Sequence, residues 1–390
     1  MSFRKRNVVV STSAASQAAA APKAENAPIP GVRPSPHDSR PTTSTGTASL
    51  DNLLAGHAGL PLGTSLLIGE HGTTDFAGVL LRYYAAEGLV QGHQVHVLGL
   101  YEGWKAELPG LSTDAKSSSK SEAPAGEKMK IAWRYETMGA PRTRDVPQRQ
   151  DPDGTASAST FCHSFDLTKR LAPGDIKGQV SFHPSMSSPS PTAPPKDTAS
   201  PFKTFTRDLA SKLANSQPAT IHRVIVPGIL SPTGYAGSSS RPEDVLQFLH
   251  TLRALLRQHP AQLTALITLP LTLFPRSTGL TRWMEILSDG VLELVPLQSN
   301  SVHAPPASSS KSDSKFSSEE QVQGLLKVHT LPVFDEKGGG SSEAHAARED
   351  QAFSLSRSRG LVIKPFSLPP VLDDEPERKS AEAGKTSMEF

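Results

Sequence analysis

The chain has 390 residues and a formal net charge of +2, which is too small for a protein whose whole surface binds nucleic acid. No apolar run reaches the roughly 18 residues of a membrane-spanning helix, so we expect no membrane association. The hydrophobic fraction of 36% is low and the chain holds 34 prolines. The composition therefore predicts one globular domain of roughly 200–250 residues, interrupted by disordered insertions.

The first 44 residues are predicted to form a disordered N-terminal tail, with prolines concentrated between Pro28 and Pro41. Residues 1–21 are basic, rich in Ser and Ala, and free of acids, a composition shared with mitochondrial transit peptides. They lack the continuous apolar segment of a secretory signal. Both interpretations stay open, and we favour the plain tail.

A βαβ unit is predicted at the start of the ordered sequence. Residues 65–68 form a short apolar run and residues 94–98 a β-branched one, and both are typical of strands. Between them, apolar residues recur at helical spacing, with Gly88 and Gly92 as stop signals. This order favours a parallel sheet. The helical positions are Phe76, Val79, Leu80, Tyr83 and Tyr84.

Ordered and low-complexity segments alternate further along the chain. The clearest helix is predicted at 241–259, where Pro242 and two acids mark the first turn. The near-continuous apolar runs suit a parallel sheet with helices on both faces, and the last two runs suit antiparallel edge strands. These runs lie at 224–226, 263–269, 291–295, 324–331 and 361–363.

The globular domain is predicted to span residues 45–368, followed by a disordered C-terminal tail at 369–390. The single cysteine, Cys162, excludes an internal disulfide and is interpreted as a small buried apolar residue. Low-complexity inserts are predicted near 111–128, 140–160, 183–201, 298–318 and 336–350.

The segment from Thr45 to Phe76 resembles the start of the RecA and KaiC-like ATPase core. It contains a TG…LD.LL helix motif at 45–54 and a GLP.G motif at 59–63, which lead into a strand and its phosphate loop. The resemblance implies a RecA-like α/β fold, with a mostly parallel central sheet flanked by helices.

The phosphate loop itself is altered. The motif G-x-x-x-x-G-K-[ST] needs a lysine for the outer phosphates and a hydroxyl for Mg²⁺. Aligned on Gly69, this chain places Thr74 at the second glycine, Asp75 at the lysine and Phe76 at the hydroxyl. The full degenerate loop is Gly69, Glu70, His71, Gly72, Thr73, Thr74, Asp75 and Phe76.

An aspartate in place of the lysine changes the local charge by two units beside a polyanion, so we expect no ordinary ATP binding. Asp75 is predicted to cap the following helix, where its carboxylate replaces the phosphate, and Phe76 to supply apolar packing. We therefore predict no catalytic residue, no metal and no cofactor for the isolated chain.

A second metal ligand is also missing from the pattern. The strand at 224–226 should end in an Asp that organises Mg²⁺, but it leads into Pro227 and Gly228. Glu102 lies near the position where KaiC-like enzymes carry a catalytic glutamate. Without the lysine, we interpret Glu102 as a solvated loop residue rather than a base.

Four further segments carry a second resemblance, and they are residues 1–5, 31–35, 130–135 and 161–167. These segments are similar to the PAXNEB family, the fourth subunits of the Elongator complex. The resemblance implies a subunit of a heterohexameric ring, built with the fifth and sixth Elongator subunits in the cytoplasm and nucleus. It also implies that this ring binds tRNA, releases it in an ATP-linked step, and supports wobble-uridine modification by the catalytic Elongator subunits. We expect any ATPase activity of this chain only within the assembled ring.

A moderately basic stretch supplies the candidates for RNA contact, because lysines and arginines bind phosphates. Interspersed acids make a merely solvated surface the alternative. Trp133 and Tyr135 could stack on bases, although alternating aromatics more often pack within a strand. The basic candidates are Arg134, Arg142, Arg144, Arg149, Lys169 and Arg170.

Three rival functions stay open at this point. One is an active RecA/KaiC-like ATPase with an unorthodox nucleotide site. Another is a RecA-class DNA recombination or repair protein, which usually keeps the lysine of the loop. The last is a ring-building subunit without any RNA contact.

Overall fold

The architecture follows from a computed structural model of the chain. It describes residues 28–54, 57–112, 160–185, 200–237, 240–297, 322–332, 350–357 and 360–366. No helix within these ranges is both long and apolar enough to cross a membrane.

A nine-stranded mixed sheet organises the domain. Six neighbouring strands are parallel and the remaining three continue the sheet antiparallel at one edge. In spatial order the strands are β14 (Gly360–Pro365), β13 (Gln351–Ser356), β12 (Gly324–Thr330), β11 (Gly290–Pro296), β4 (Ser65–Glu70), β10 (Leu263–Pro270), β9 (His222–Val226), β5 (Gln94–Leu98) and β8 (Gln179–His183).

Helices cover both faces of this sheet. The helices α1 and α2 share one apolar cluster with the sheet, while α3, α4 and α5 share the other. Leu66 and Ile68 of β4 face the first cluster and Leu67 the second, as the alternation of a strand requires. The helices are α1 (Ala48–Leu53), α2 (Phe76–Gln91), α3 (Pro201–Asn215), α4 (Pro242–Gln258) and α5 (Gly279–Leu287).

Two smaller sheets complete the described structure. The strands β1 (Val32–Pro34), β2 (Pro41–Thr43) and β3 (Leu60–Pro61) pair antiparallel. The strands β6 (Pro109–Leu111) and β7 (Phe165–Arg170) form an antiparallel pair, which brings together the two sides of the segment at 113–159.

The predicted α/β class, the βαβ unit and the antiparallel strands β12 and β14 are confirmed. The tail boundary at residue 44 is wrong, because residues 32–34 and 41–43 form strands. Residues 1–27 and 367–390 lie outside the described ranges, as do the inserts apart from their edges.

Gly88 does not stop α2 as predicted, and the helix continues to Gln91. Its role is close packing, because a Cβ atom at Gly88 would lie only 2.6 Å from Cδ of the buried Arg223. The helix ends at Gly92, whose left-handed backbone (φ 89°) forms the C-terminal cap.

Candidate functional site: the altered phosphate loop

The altered loop connects the C-terminal end of β4 to the first turn of α2. The strand β4 lies in the middle of the sheet, with β10 and β11 parallel on either side. Open α/β sheets bind ligands beyond the C-terminal ends of such strands. The strand, turn and helix of a phosphate loop are therefore present, and the side chains decide what the loop can bind.

The carboxylate of Glu70 occupies the N-terminal end of α2. Its Oε1 accepts hydrogen bonds from the Phe76 backbone N–H (2.9 Å) and the Thr74 hydroxyl (2.7 Å). Its Oε2 accepts one from the Ala77 N–H at 2.9 Å. These backbone N–H groups are the donors that a helix N-terminus offers to an anion. The Glu70 carboxylate therefore occupies the place that a phosphate takes in a phosphate-binding loop.

Burial raises the pKa of the Glu70 carboxyl, and the hydrogen bonds from Thr74, Ala77 and Phe76 act in the opposite direction. The side chain is 9% exposed. The partial positive charge at the N-terminal end of α2 acts in the same direction as these hydrogen bonds and favours the carboxylate form.

The prediction that Asp75 caps α2 is wrong. Asp75 makes no capping hydrogen bond, and its side chain is 69% exposed. It instead accepts a hydrogen bond from the Arg82 guanidinium at 2.9 Å, on the outer surface of the helix. The physical reason is that Glu70 already accepts from the Ala77 N–H, one of the two N–H groups that a cap at this position would use.

Phe76 packs into the apolar cluster below the loop. Its ring meets that of Phe353 on β13 edge to face, with 4.8 Å between centroids and an interplanar angle of 68°. This geometry is favourable for two aromatic rings. The position that carries the Mg²⁺ ligand in a working loop thus joins α2 to the antiparallel edge of the sheet.

The rest of the turn is held by neighbouring strands. The imidazole Nε2 of His71 lies 2.8 Å from Oε1 of Glu293 on β11. The N–H of Gly72 donates to the Thr272 hydroxyl, which follows β10, at 2.8 Å. Thr73 is exposed to solvent. The N–H of Gly72, which a nucleotide-binding loop would direct at a phosphate, therefore already has a partner.

The position of the second metal ligand holds no carboxylate. The strand β9 ends at Val226 and leads into Pro227 and Gly228, whose N–H donates to the Thr268 hydroxyl at 2.7 Å. Glu102 is exposed in a short 3-10 helix at Glu102–Glu107. Within the described ranges, no three His, Cys, Asp or Glu side chains are grouped to hold a metal ion.

Two of the candidates for RNA contact lie among the described residues. Lys169 and Arg170 are exposed on β7, where Lys169 lies 3.9 Å from Asp166 and Arg170 donates to the Glu107 carbonyl at 3.1 Å. The remaining candidates, together with the two aromatics, lie outside the described residues: Trp133, Arg134, Tyr135, Arg142, Arg144 and Arg149.

A buried polar network at the opposite end of α2 escaped the sequence-based predictions. Arg223 of β9 is fully buried and donates to the Thr43 hydroxyl (2.7 Å), the Ser44 carbonyl (2.9 Å) and the Tyr84 carbonyl (3.0 Å). Its Nε also donates to Nδ1 of His93 at 3.0 Å. This arginine therefore ties the segment after β2 to the central sheet and to α2.

Two buried carboxylates accompany this arginine. Asp51 of the LD motif accepts hydrogen bonds from the hydroxyls of Ser44 (2.6 Å) and Thr45 (2.7 Å). Glu87 accepts one from the His163 N–H at 2.9 Å. Burial raises the pKa of the nearby Cys162 thiol to about 12, which makes it a poor nucleophile. The TG…LD motif was the sequence signal that could have predicted this network, because its polar residues form hydrogen bonds inside the domain.

Comparison with known proteins assigns the chain to a protein family. The model of the PAXNEB protein family matches residues 25–390. The chain belongs to the PAXNEB family. It is 32% identical to Elongator complex protein 4 of Schizosaccharomyces pombe over 375 residues, covering 92% of this chain and 94% of that protein.

Proteins with the same name in other organisms are also similar. Elongator complex protein 4 of Saccharomyces cerevisiae is 26% identical, over 87% of this chain and 76% of that protein. The Homo sapiens protein is 27% identical, over 90% and 82% respectively. The resemblance found in the sequence is thus confirmed at the level of the family.

Proposed function

We propose that this PAXNEB-family chain is a non-catalytic, RecA-like subunit of the Elongator complex. In this proposal it forms a heterohexameric ring with the fifth and sixth subunits, in the cytoplasm and nucleus. The ring binds tRNA and supports wobble-uridine modification by the catalytic Elongator subunits. The names of the similar proteins and their coverage of nearly the whole chain support this assembly.

The observation that carries the non-catalytic part is the Glu70 carboxylate at the N-terminus of α2. A nucleotide phosphate at the same place would meet the carboxylate of Glu70. Two unit charges at about 4 Å repel each other by roughly 4 kcal/mol at an effective dielectric constant near 20. Nucleotide binding would require Glu70 to leave three hydrogen-bond donors.

The alternative, an active RecA/KaiC-like ATPase, would need a cation free to approach the phosphates. The arginine of α2, Arg82, does not meet this requirement. It pairs with Asp75, and its guanidinium lies 3.7 Å from the Glu107 carboxylate. Titration of the pure full-length chain with ATP and Mg²⁺ separates the two functions. We expect no saturable binding; turnover abolished by changing Glu102 to Gln would favour the ATPase.

Assembly is tested by co-expressing the full-length chain with the fifth and sixth Elongator subunits of the same organism. Native mass measurement of the purified material should give one complex with two copies of each chain. Recovery of this chain alone, at every salt concentration used, would contradict the ring.

RNA contact is tested on the assembled complex by measuring tRNA affinity against salt concentration. Changing both Lys169 and Arg170 to Ala should weaken binding and lower the salt slope by about one for each phosphate that the variant no longer neutralises. A second variant with Ala at 142, 144 and 149 probes the basic stretch of the insert. Unchanged slopes in both variants would instead support a ring-building subunit without RNA contact.

A further inference from the structure

The outward face of α5 carries two large apolar side chains. Trp283 is 56% exposed and Ile286 is 60% exposed, while Thr281 and Met284 on the opposite side of the helix are fully buried. Residues three apart lie next to each other on a helix, so the indole and the isoleucine side chain form one continuous surface. We refer to Arg282, Trp283 and Ile286 as the α5 face.

This arrangement reverses the usual pattern of a surface helix, whose solvent side is polar. A scattered exposed leucine would need no explanation, but an exposed tryptophan beside an exposed isoleucine is a different case. Tryptophan and arginine are also the residues that most often dominate the energy of protein interfaces. The composition of the α5 face is therefore that of an interface.

The carboxylates of Glu285 and Asp289 lie near this face, and each already pairs with an arginine, so the charges that remain at its border are those of two other arginines. Arg282 is exposed one helical turn before Ile286, and Arg253 of α4 donates to the Ile286 carbonyl at 3.1 Å. Neither guanidinium takes part in an ion pair among the described residues. The apolar surface thus has two arginines at its border that could meet carboxylates of a partner.

We propose that the α5 face docks a protein partner that presents an apolar cleft bordered by carboxylates. The proposal rests on the proposed function, in which that partner is a neighbouring subunit of the assembly. Complementary charges at an interface set the partner and the association rate. The apolar cleft accounts for Trp283 and Ile286, and the carboxylates account for the two arginines.

The same features argue against two other occupants. A second copy of this chain, bound symmetrically through the α5 face, would bring arginines against arginines. An RNA backbone would engage the arginines but would leave Ile286 without an apolar partner. Both occupants remain distinguishable outcomes of the experiment.

The experiment uses the full-length chain assembled with the fifth and sixth Elongator subunits. The double variant Trp283→Ser/Ile286→Ser should weaken association with them by about 30-fold or more, as expected for interface residues of this kind. Arg282→Glu should weaken it less and make it less sensitive to salt. Because these side chains are exposed, the thermal midpoint of the free chain should not change.

Two matched variants serve as controls. Tyr101→Ser removes an aromatic side chain of similar exposure (59%) from the turn after β5. Arg241→Glu reverses an exposed charge at the start of α4. Neither should alter the association. A photo-crosslinker at position 283 should label a partner peptide rich in apolar residues and carboxylates, and reversing one of those carboxylates to Lys should rescue Arg282→Glu.

Affinities unchanged in the double variant would overturn the docking surface, as would crosslinks to a second copy or to tRNA. In those cases the wild-type complex still forms, and the proposed function stands. Failure of the wild-type chain to assemble with either subunit would overturn both proposals.

Discussion

The two ends of α2 carry buried or half-buried carboxylates that are satisfied in different ways. At the N-terminal end, Glu70 is held by backbone N–H groups and one hydroxyl. At the C-terminal end, Glu87 is held by Gln91 and His163, beside the buried Arg223. The first end depends on the helix itself, whereas the second depends on side chains from distant segments.

This difference explains how the residues of a phosphate loop can change while the domain keeps its shape. The N–H groups at the start of a helix donate hydrogen bonds to any suitable anion, so a glutamate carboxylate can take the place of a phosphate there. The network around Arg223 has no such substitute, because its partners come from several separate segments of the chain. We therefore expect the C-terminal end to be much more sensitive to substitution.

The largest effect is expected for Arg223→Ala. Removing one member of a buried charged network typically costs about 3–5 kcal/mol, because the remaining charges lose their compensation. Urea unfolding of the pure chain should show this loss. Arg223→Lys, which keeps the charge but not the planar set of donors, should fall between the variant and the wild type.

A loss below about 1 kcal/mol in Arg223→Ala would mean that the network is not a stabilising element. The C-terminal end of α2 would then not be the end that is more sensitive to substitution.

Glu70→Ala should destabilise the domain by about 1.5–3 kcal/mol, the range for hydrogen bonds to a charged group. Glu70→Gln keeps an acceptor and should lose less. Asp75→Ala is the matched control, because that exposed carboxylate makes only a surface ion pair and should change stability by less than about 0.5 kcal/mol. Equal losses in the Glu70 and Asp75 variants would return the capping role to Asp75.

The pH dependence of stability should differ in sign between the two ends. Burial and the Arg223 charge lower the pKa of His93 to about 3, so protonation favours the unfolded chain. This contribution is complete above pH 6.5 and is lost as the pH falls. Burial raises the pKa of Glu70, so its contribution is present below about pH 4.5 and lost as the pH rises.

Between pH 7 and pH 5 the histidine contribution should dominate, with a loss of about 2 kcal/mol for one fully buried histidine. Urea unfolding at both pH values measures it. His93→Gln, whose amide oxygen can still accept from Arg223, should flatten the dependence. An identical pH slope in that variant would assign the effect to other groups, such as the buried His222, whose pKa is lowered to about 4.

The smallest effect is expected from restoring the loop residues. The triple variant Thr74→Gly/Asp75→Lys/Phe76→Thr should lower stability by about 1–2 kcal/mol, because the Phe76 ring no longer packs against Phe353. It should not bind ATP while Glu70 remains in place. A thermal midpoint equal to or above that of the wild type would contradict a stabilising role of Phe76.

Long periodic elements could be predicted from the sequence because their pattern is local. The helix predicted at 241–259 is observed at Pro242–Gln258, and residues 94–98 form β5 as predicted. The strands β8 and β13 and the helix α3 were missed. These elements are short or border low-complexity stretches, so the local composition did not show a helix or strand pattern.

The identity of the capping carboxylate could not be predicted from spacing alone. Asp75 directly precedes the helix, whereas Glu70 must fold back across the turn to reach the same N–H groups. The ordered residues before Thr45 were missed for a similar reason. Thr43 and Ser44 look like linker residues until a buried arginine from a distant strand provides their partner.

The pairing of β6 with β7 holds together two residues that are far apart in the sequence. The N–H of Ser112 donates to the carbonyl of Ser164 at 2.9 Å. Closing a longer flexible segment between two fixed ends costs only about 0.6 kcal/mol for each doubling of its length. We therefore expect insertions or deletions between these two residues to change the stability of the domain only slightly.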